Sequence, residues 1–164
     1  MQKIFNGIIR ELKQEDTSAV ESIFDLYWSG KFREQLSQRL EDFVSHSMES
    51  IEQRFRFFVA EENGEVVGVA ALRKAPERMR IYSTTTNPAE FYVLAAKYKG
   101  KGVGTALREK RIEEARKSGY TEVVFYSGDT HKDSWNFHDD SDFKRVGTSV
   151  APDGEPGQIW RMVL

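Results

Sequence analysis

Apolar side chains change their spacing repeatedly along this chain, and each change marks an element. Residues 4–10 (IFNGIIR) are apolar and β-branched and predict a short first strand. Glu15, Asp16, Thr17 and Ser18 supply helix N-caps, and Val20, Ile23, Phe24, Tyr27 and Trp28 follow at helical spacing. Gly30 interrupts that stripe. A second stripe runs through Phe32, Leu36, Leu40, Phe43, Val44 and Met48, so the pattern predicts two helices, over 15–28 and 31–48.

The period then shortens. Phe55, Phe57, Phe58, Val59 and Ala60 form an apolar run that ends at Asn63-Gly64, and Val66 to Leu72 is the returning strand. Asn-Gly between β-prone runs signals a type I′ hairpin, because that turn needs positive φ at both central residues. Residues 73–89 are polar and broken by Pro76 and Pro88, with Arg80, Ile81 and Tyr82 read as an extension of the sheet edge. Glu90 to Ala96 is nearly all apolar, as expected of a strand covered on both faces. A helix over 105–118 follows, ended by Gly119, then a strand over 121–127. Together they predict one βαβ unit with a parallel strand pair. A short polar helix over 132–139 and a hairpin of 143–150 with 158–163 complete the chain. The order β-α-α-β-β-β-α-β-α-β-β implies an α/β (α+β) architecture, a mixed sheet with helices on its faces.

Composition narrows the class. A chain of 164 residues without a linker-like stretch is expected to form one domain over 1–164. The net charge of -2 offers no general attraction to nucleic acid or to an anionic membrane. The absence of Cys excludes a disulfide framework, a thiolate zinc site and a Cys nucleophile, and fits a reducing compartment. With no signal peptide and no apolar run of about 20 residues, the expected location is cytoplasmic.

The candidate chemistry begins at Lys99-Gly100-Lys101-Gly102-Val103-Gly104, between a covered strand and a helix. Glycine lets backbone approach a ligand closely, and the first N–H groups of a helix lack internal partners and carry partial positive charge. A diphosphate suits such a place, and Lys99 and Lys101 add two cations. A P-loop needs Gly-Lys-Ser/Thr after four intervening residues, whereas Gly104 here precedes Thr105 and Ala106. A dinucleotide fold places its Gly loop in the first βαβ of a doubly wound sheet, whereas this loop lies mid-chain after a hairpin.

These residues resemble the GNAT family of N-acetyltransferases over nearly the whole chain. The family's coenzyme A loop reads Gln or Arg, two residues, Gly, one residue, Gly or Ala; Lys99, Gly102 and Gly104 fall on it, with Lys in the first place. The hairpin FFVAEENGEVVGVAAL and the segment TALREKRIEEARKSGYTEVVFYS are similar to the family's corresponding elements. A later family segment, Asn-x-x-Ala-x-x-Phe/Leu-Tyr and then Gly-Phe, aligns with His131 to His138 and with Asp142-Phe143, with His131, Ser134, His138 and Asp142 in place of its Asn, Ala, Tyr and Gly. The resemblance implies an acetyl-CoA co-substrate. Its pantetheine arm would lie along Tyr92, Val93 and Leu94, where the fourth strand splays from the fifth. An N–H near Leu94 would polarise the thioester carbonyl. The diphosphate would take N–H groups from Gly100, Lys101, Gly102, Val103, Gly104 and Thr105, and His131 stands where the family has an Asn contacting coenzyme A.

Attack on a thioester needs a neutral amine, and a free alkyl amine has a pKa of about 10.4, so a base helps; the leaving thiolate, with a pKa of about 8.5 by analogy with Cys, gains from an acid. The resemblance gives the acid position to His138, which is otherwise a packing residue of the short helix. Where many members carry a basic Glu near the end of the fifth strand, this chain has Tyr126 and Ser127, and Glu90 on the preceding strand is the other candidate base. Tyr27, Trp28, Arg33 and Tyr82 are expected to line the acceptor pocket, whereas Phe32 reads better as core. Asp129, Asp133, Asp139, Asp140 and Asp142 lack calcium-loop spacing, so a solvated acidic surface rather than a metal site is expected. The expected partner is a small-molecule amine, and dimerisation common in the family admits a homodimer. The competing reading is a noncatalytic acyl-CoA-binding or sensing module on the same fold.

Overall fold

The computed structural model describes residues 4–164. Its strands are β1 (Ile8–Glu11), β2 (Arg56–Glu62), β3 (Glu65–Lys74), β4 (Pro88–Ala96), β5 (Glu122–Gly128), β6 (Lys144–Val150) and β7 (Pro156–Val163). Its helices are α1 (Thr17–Asp25), α2 (Gly30–Val44), α3 (Met48–Gln53), α4 (Glu77–Arg80), α5 (Val103–Lys117) and α6 (Trp135–Asp139). The seven strands pair in the order β1-β2-β3-β4-β5-β7-β6, a mixed and mostly antiparallel sheet in an α/β fold.

Three expectations are corrected. The first strand covers Ile8–Glu11 rather than 4–10. The second apolar stripe is two helices, because the Ser47 hydroxyl caps α3 by accepting from the Ser50 N–H at 3.3 Å, after His46 has turned the chain at φ 56°. The Arg80–Tyr82 stretch does not extend the sheet: Pro76 opens the short helix α4, which buries Met79, and Tyr82 follows it in a turn.

The chain clusters into two compact units, one made of the chain up to Arg73 with Tyr92–Glu114, the other of Lys74–Phe91 with Ala115–Leu164. In the first, β1, β2 and β3 form an antiparallel meander. Asn63 and Gly64 turn the β2–β3 hairpin at φ 52° and 77°, as the type I′ signal requires. Val20, Ile23, Phe24, Leu36 and Leu40 of the two long apolar stripes pack with Phe57, Val59, Val69 and Ala71 and with Tyr92 and Ala95.

In the second unit β5 pairs in parallel with the start of β4, through Pro88, Ala89 and Glu90 against Glu122, Val123 and Val124. β7 lies antiparallel between β5 and β6, Phe125 opposite Trp160. Trp160 is fully buried, and Phe125 stacks on it at 5.4 Å with an interplanar angle of 8°.

Candidate functional site

In the first unit the Gly-rich loop joins β4 to α5. Gly100 and Gly102 have φ of 74° and 81°, values that side-chain-bearing residues rarely adopt. The Gly102 carbonyl accepts the first helical bond, from the Ala106 N–H at 3.1 Å. The N–H groups of Val103, Gly104 and Thr105 therefore open the helix, at its positive end. Lys101 is exposed, and the Lys99 ammonium stands over the Tyr27 ring at 5.8 Å.

A second glycine sets where that loop sits. A Cβ on Gly68 of β3 would lie 2.5 Å from Val103 Cγ1 and 3.1 Å from Leu107 Cδ1, so α5 approaches β3 only because residue 68 has no side chain. Gly68→Ala is expected to destabilise the protein by about 1–3 kcal/mol through overpacking. An unchanged urea midpoint would show that the first turn of α5 moves aside freely.

β4 is irregular where the donor was expected. Val93 has φ 50°, an outlier for a β-branched residue and a conformation that costs on the order of 1–3 kcal/mol. The change of phase is visible in packing: Tyr92 and its neighbour Val93 both pack against the first unit's core, which alternate residues of a regular strand would do instead. The β4–β5 ladder pairs Pro88, Ala89 and Glu90 with Glu122, Val123 and Val124, and beyond it the Val93 and Ala96 carbonyls accept from side chains. Arg111 of α5, only 3% exposed, donates from Nη1 to the carbonyls of Ala71 at 3.0 Å and Val93 at 3.3 Å. Burial, with a smaller contribution from Arg108, pulls its pKa down to about 9, which still leaves it cationic at neutral pH.

The expected acceptor-lining residues have particular partners. The Tyr27 hydroxyl donates to the Ala96 carbonyl at 2.5 Å, tying the end of α1 to the end of β4. Trp28 packs between Tyr27 and Phe32, and Phe32 meets Tyr92 at 6.3 Å, so Phe32 is core as the stripe suggested. Arg33 is a tie between helices: it donates to Asp25 at 2.8 Å, to Ser37 at 2.7 Å, and to both the carbonyl and the carboxylate of Glu21. Those bonds fix its position.

In the second unit Glu90 is 4% exposed, and its Oε2 lies 4.0 Å from Arg78 Nη2. The Tyr126 hydroxyl donates to the Glu155 carbonyl at 2.8 Å. Burial and the negative charges of Glu155, Asp153 and Asp129 hold its pKa well above the usual phenol value, so it stays protonated and supplies no base near neutral pH. His138 stands on aromatic faces, 4.7 Å from Phe125 and 5.0 Å from Trp160. Asp139 beside it accepts from Trp160 Nε1 at 2.9 Å and from Arg145 at 2.6 Å. His131 lies in the 3-10 segment Asp129–Ser134, its carbonyl accepting from the Ser134 hydroxyl at 2.8 Å. Tyr82 donates to the Thr148 carbonyl at 3.2 Å, and its own carbonyl accepts from Arg161 at 2.9 Å. Among the described residues no group of three His, Asp or Glu is placed to hold a metal ion, and no helix is long and apolar enough to cross a membrane.

The Acetyltransferase (GNAT) family matches residues 19–143, which include the loop, the irregular strand and α6. The chain belongs to the GNAT family. No curated protein matches the sequence. Among solved structures, a GNAT-family protein from Desulfovibrio desulfuricans is similar at 16% identity and a TM-score of 0.78, covering 95% of this chain and 98% of that one. A ribosomal-protein-alanine N-acetyltransferase from Brucella melitensis is similar at 21% identity and TM-score 0.69, covering 96% and 99%. The PaiA N-acetyltransferase from Thermoplasma acidophilum, in complex with coenzyme A, is similar at 17% identity and TM-score 0.66, covering 96% and 98%. At these identities the likeness is one of fold.

Three features of this GNAT chain escaped the sequence reading. Arg111 did leave a signal: it falls at i+4 from Leu107 and i−4 from Ala115, in the middle of the buried stripe of α5. Gly68 is one more glycine in a strand pattern. Glu122 looks like an ordinary strand-start carboxylate, yet its side chain is fully buried against Thr84 and Thr85.

Proposed function

We propose that residues 1–164 act as a single acetyl-CoA-dependent N-acetyltransferase domain, moving an acetyl group to the primary amine of a small-molecule acceptor by direct attack on the thioester. The observation that carries the reading is the pair of left-handed glycines, Gly100 and Gly102, leading into the open N–H groups of α5. Residues of this chain suit a diphosphate there: backbone donors from Gly100 to Thr105, the cations of Lys99 and Lys101, and no side chain on three of the positions. The coenzyme A bound by the Thermoplasma relative supports that assignment. Acetyl-CoA supplies the acetyl group as a thioester. Tyr92, Val93 and Leu94 offer the backbone of β4 to the pantetheine arm, and the Leu94 N–H is the donor to the carbonyl.

Proton handling falls to Glu90 and His138. Glu90 is the base that accepts the proton of the incoming amine, directly or through water. His138 is the acid for the thiol, standing at the position where the family carries its acid. His131 offers one donor to coenzyme A. Tyr27, Trp28, Arg33 and Tyr82 contribute to the acceptor side.

The test is acetyl-CoA binding by calorimetry, followed by thiol release with a panel of amines. Heat of binding and turnover on at least one small amine are expected. No heat with millimolar acetyl-CoA rejects the donor assignment, and binding without turnover on any amine leaves the sensing module as the function. His138→Phe keeps a ring against Phe125 and Trp160, so it separates chemistry from packing. Its rate at neutral pH is expected to fall about 10²-fold while the alkaline rate persists. A pH profile identical to that of the parent would remove His138 from the mechanism.

A further inference from the structure

We propose that Arg111 is a positioning residue that holds the β4 bulge in its active form by bridging the carbonyls of Ala71 and Val93, and so aims the Leu94 N–H at the thioester. The inference rests on the reading of β4 as the acetyl donor's strand. Its basis is geometric. Among the described residues, four non-glycine residues have positive φ, and three of them turn the chain outside strands, at His46, Arg54 and Asn63. Val93 is the fourth and stands inside a strand. A β-branched residue leaves that conformation unless its surroundings fix it.

Arg111 Nη1 reaches the carbonyl of that same residue at 3.3 Å, and the Ala71 carbonyl of β3 at 3.0 Å. The carbonyl of Val93 and the N–H of Leu94 belong to one planar peptide group, so a donor on the first fixes the direction of the second. One buried nitrogen thereby ties the bulge to the regular strand β3. Ala71 pairs in register with Phe57 of β2, so the anchor at the other end is a rigid ladder. A guanidinium suits the task because it stays charged when buried and its hydrogens point in fixed directions. Arg111 does not touch the reacting atoms in this account; it acts through the peptide between residues 93 and 94.

The test compares the parent protein with Arg111→Met, Arg111→Lys and each combined with Val93→Gly. Methionine keeps the bulk and removes the donors. Expected for Arg111→Met are a Val93 φ that turns negative in a crystal structure of the unliganded variant, a coenzyme A Kd within about threefold of the parent, and a kcat lower by roughly 10²-fold, the scale of one lost oxyanion donor. Lysine carries the donors on a shorter stem and is expected to limit the loss to about tenfold. Glycine accepts positive φ without penalty, so Val93→Gly is expected to recover most of the kcat that either Arg111 variant loses.

A bulge and a kcat that survive Arg111→Met overturn the proposal. So does a loss that Val93→Gly leaves untouched, because a purely structural arginine would not be relieved by freeing residue 93. If Arg111→Met does not fold, the Arg111→Lys pair carries the same comparison. A parent protein that neither binds acetyl-CoA nor turns over an amine would sink the donor reading instead, and the crystal structures would still decide whether Arg111 holds the bulge.

Discussion

Gly102→Glu is expected to raise the Kd for acetyl-CoA by at least about 100-fold, close to complete loss of binding, while the protein remains folded. Two effects act in the same direction. Residue 102 has φ 81°, where a side chain strains the backbone or pulls the loop out of shape. The new carboxylate also enters the place where the first N–H groups of α5 carry partial positive charge. Like charges about 4 Å apart repel by about 4 kcal/mol at an effective dielectric of 20, far more than the 2.7 kcal/mol that corresponds to a factor of 100. Gly102→Ala carries only the conformational part and is expected to weaken binding about tenfold. Calorimetry with acetyl-CoA reads both. Parent-like affinity in Gly102→Glu would show that the diphosphate lies elsewhere, and a collapsed thermal transition would show that the loop is structural first.

Glu122→Ala is expected to lower stability by about 3 kcal/mol, or roughly 6–12 °C in Tm. The Glu122 side chain is fully buried at the start of β5 and accepts from the backbone N–H groups of Thr84 and Thr85 at 2.7 and 2.9 Å and from their hydroxyls at 3.0 Å each. Arg161 Nε lies 3.6 Å away. Alanine removes the acceptor of both backbone donors. Glu122→Gln is expected to cost less, because its carbonyl oxygen still accepts from both N–H groups. The same contacts give a pH dependence of defined sign. Burial alone would raise the carboxyl pKa, but the hydrogen bonds from Thr84 and Thr85 outweigh it and leave it lowered. A lowered folded-state pKa means that this stabilisation is present above the unfolded value, about 4.3, and is lost as pH falls through the folded value. Urea midpoints should therefore drop below about pH 4.3 in the parent and drop less in Glu122→Gln. Parallel curves for the two proteins would refute the assignment.

These two sites differ in how far sequence could reach them. The loop around Gly102 was legible because its chemistry is local: glycines that turn the chain, a helix that begins, and lysines beside both. The Asn63-Gly64 turn was legible for the same reason. Glu122 was not, because its meaning lies in Thr84 and Thr85, nearly 40 residues earlier in the chain. The polar Thr84-Thr85-Thr86 run reads as a solvated loop until a buried carboxylate is found accepting its N–H groups. Arg33 shows the same limit: only the packing of α1 on α2 reveals its bonds to Glu21, Asp25 and Ser37.

By itself the sequence determined the alternation of apolar periods, hence nearly every strand and helix of the GNAT fold, and the residues of the loop between β4 and α5. These depend on neighbours within a few positions, where periodicity and turn chemistry act directly. Only the tertiary structure decided that Val93 bends β4 at positive φ, that Gly68 admits α5 against β3, and that Arg111 and Glu122 are buried with particular partners. Each depends on groups brought together by folding from distant parts of the chain, and a charged side chain shows no sign in sequence of whether water or protein will satisfy it.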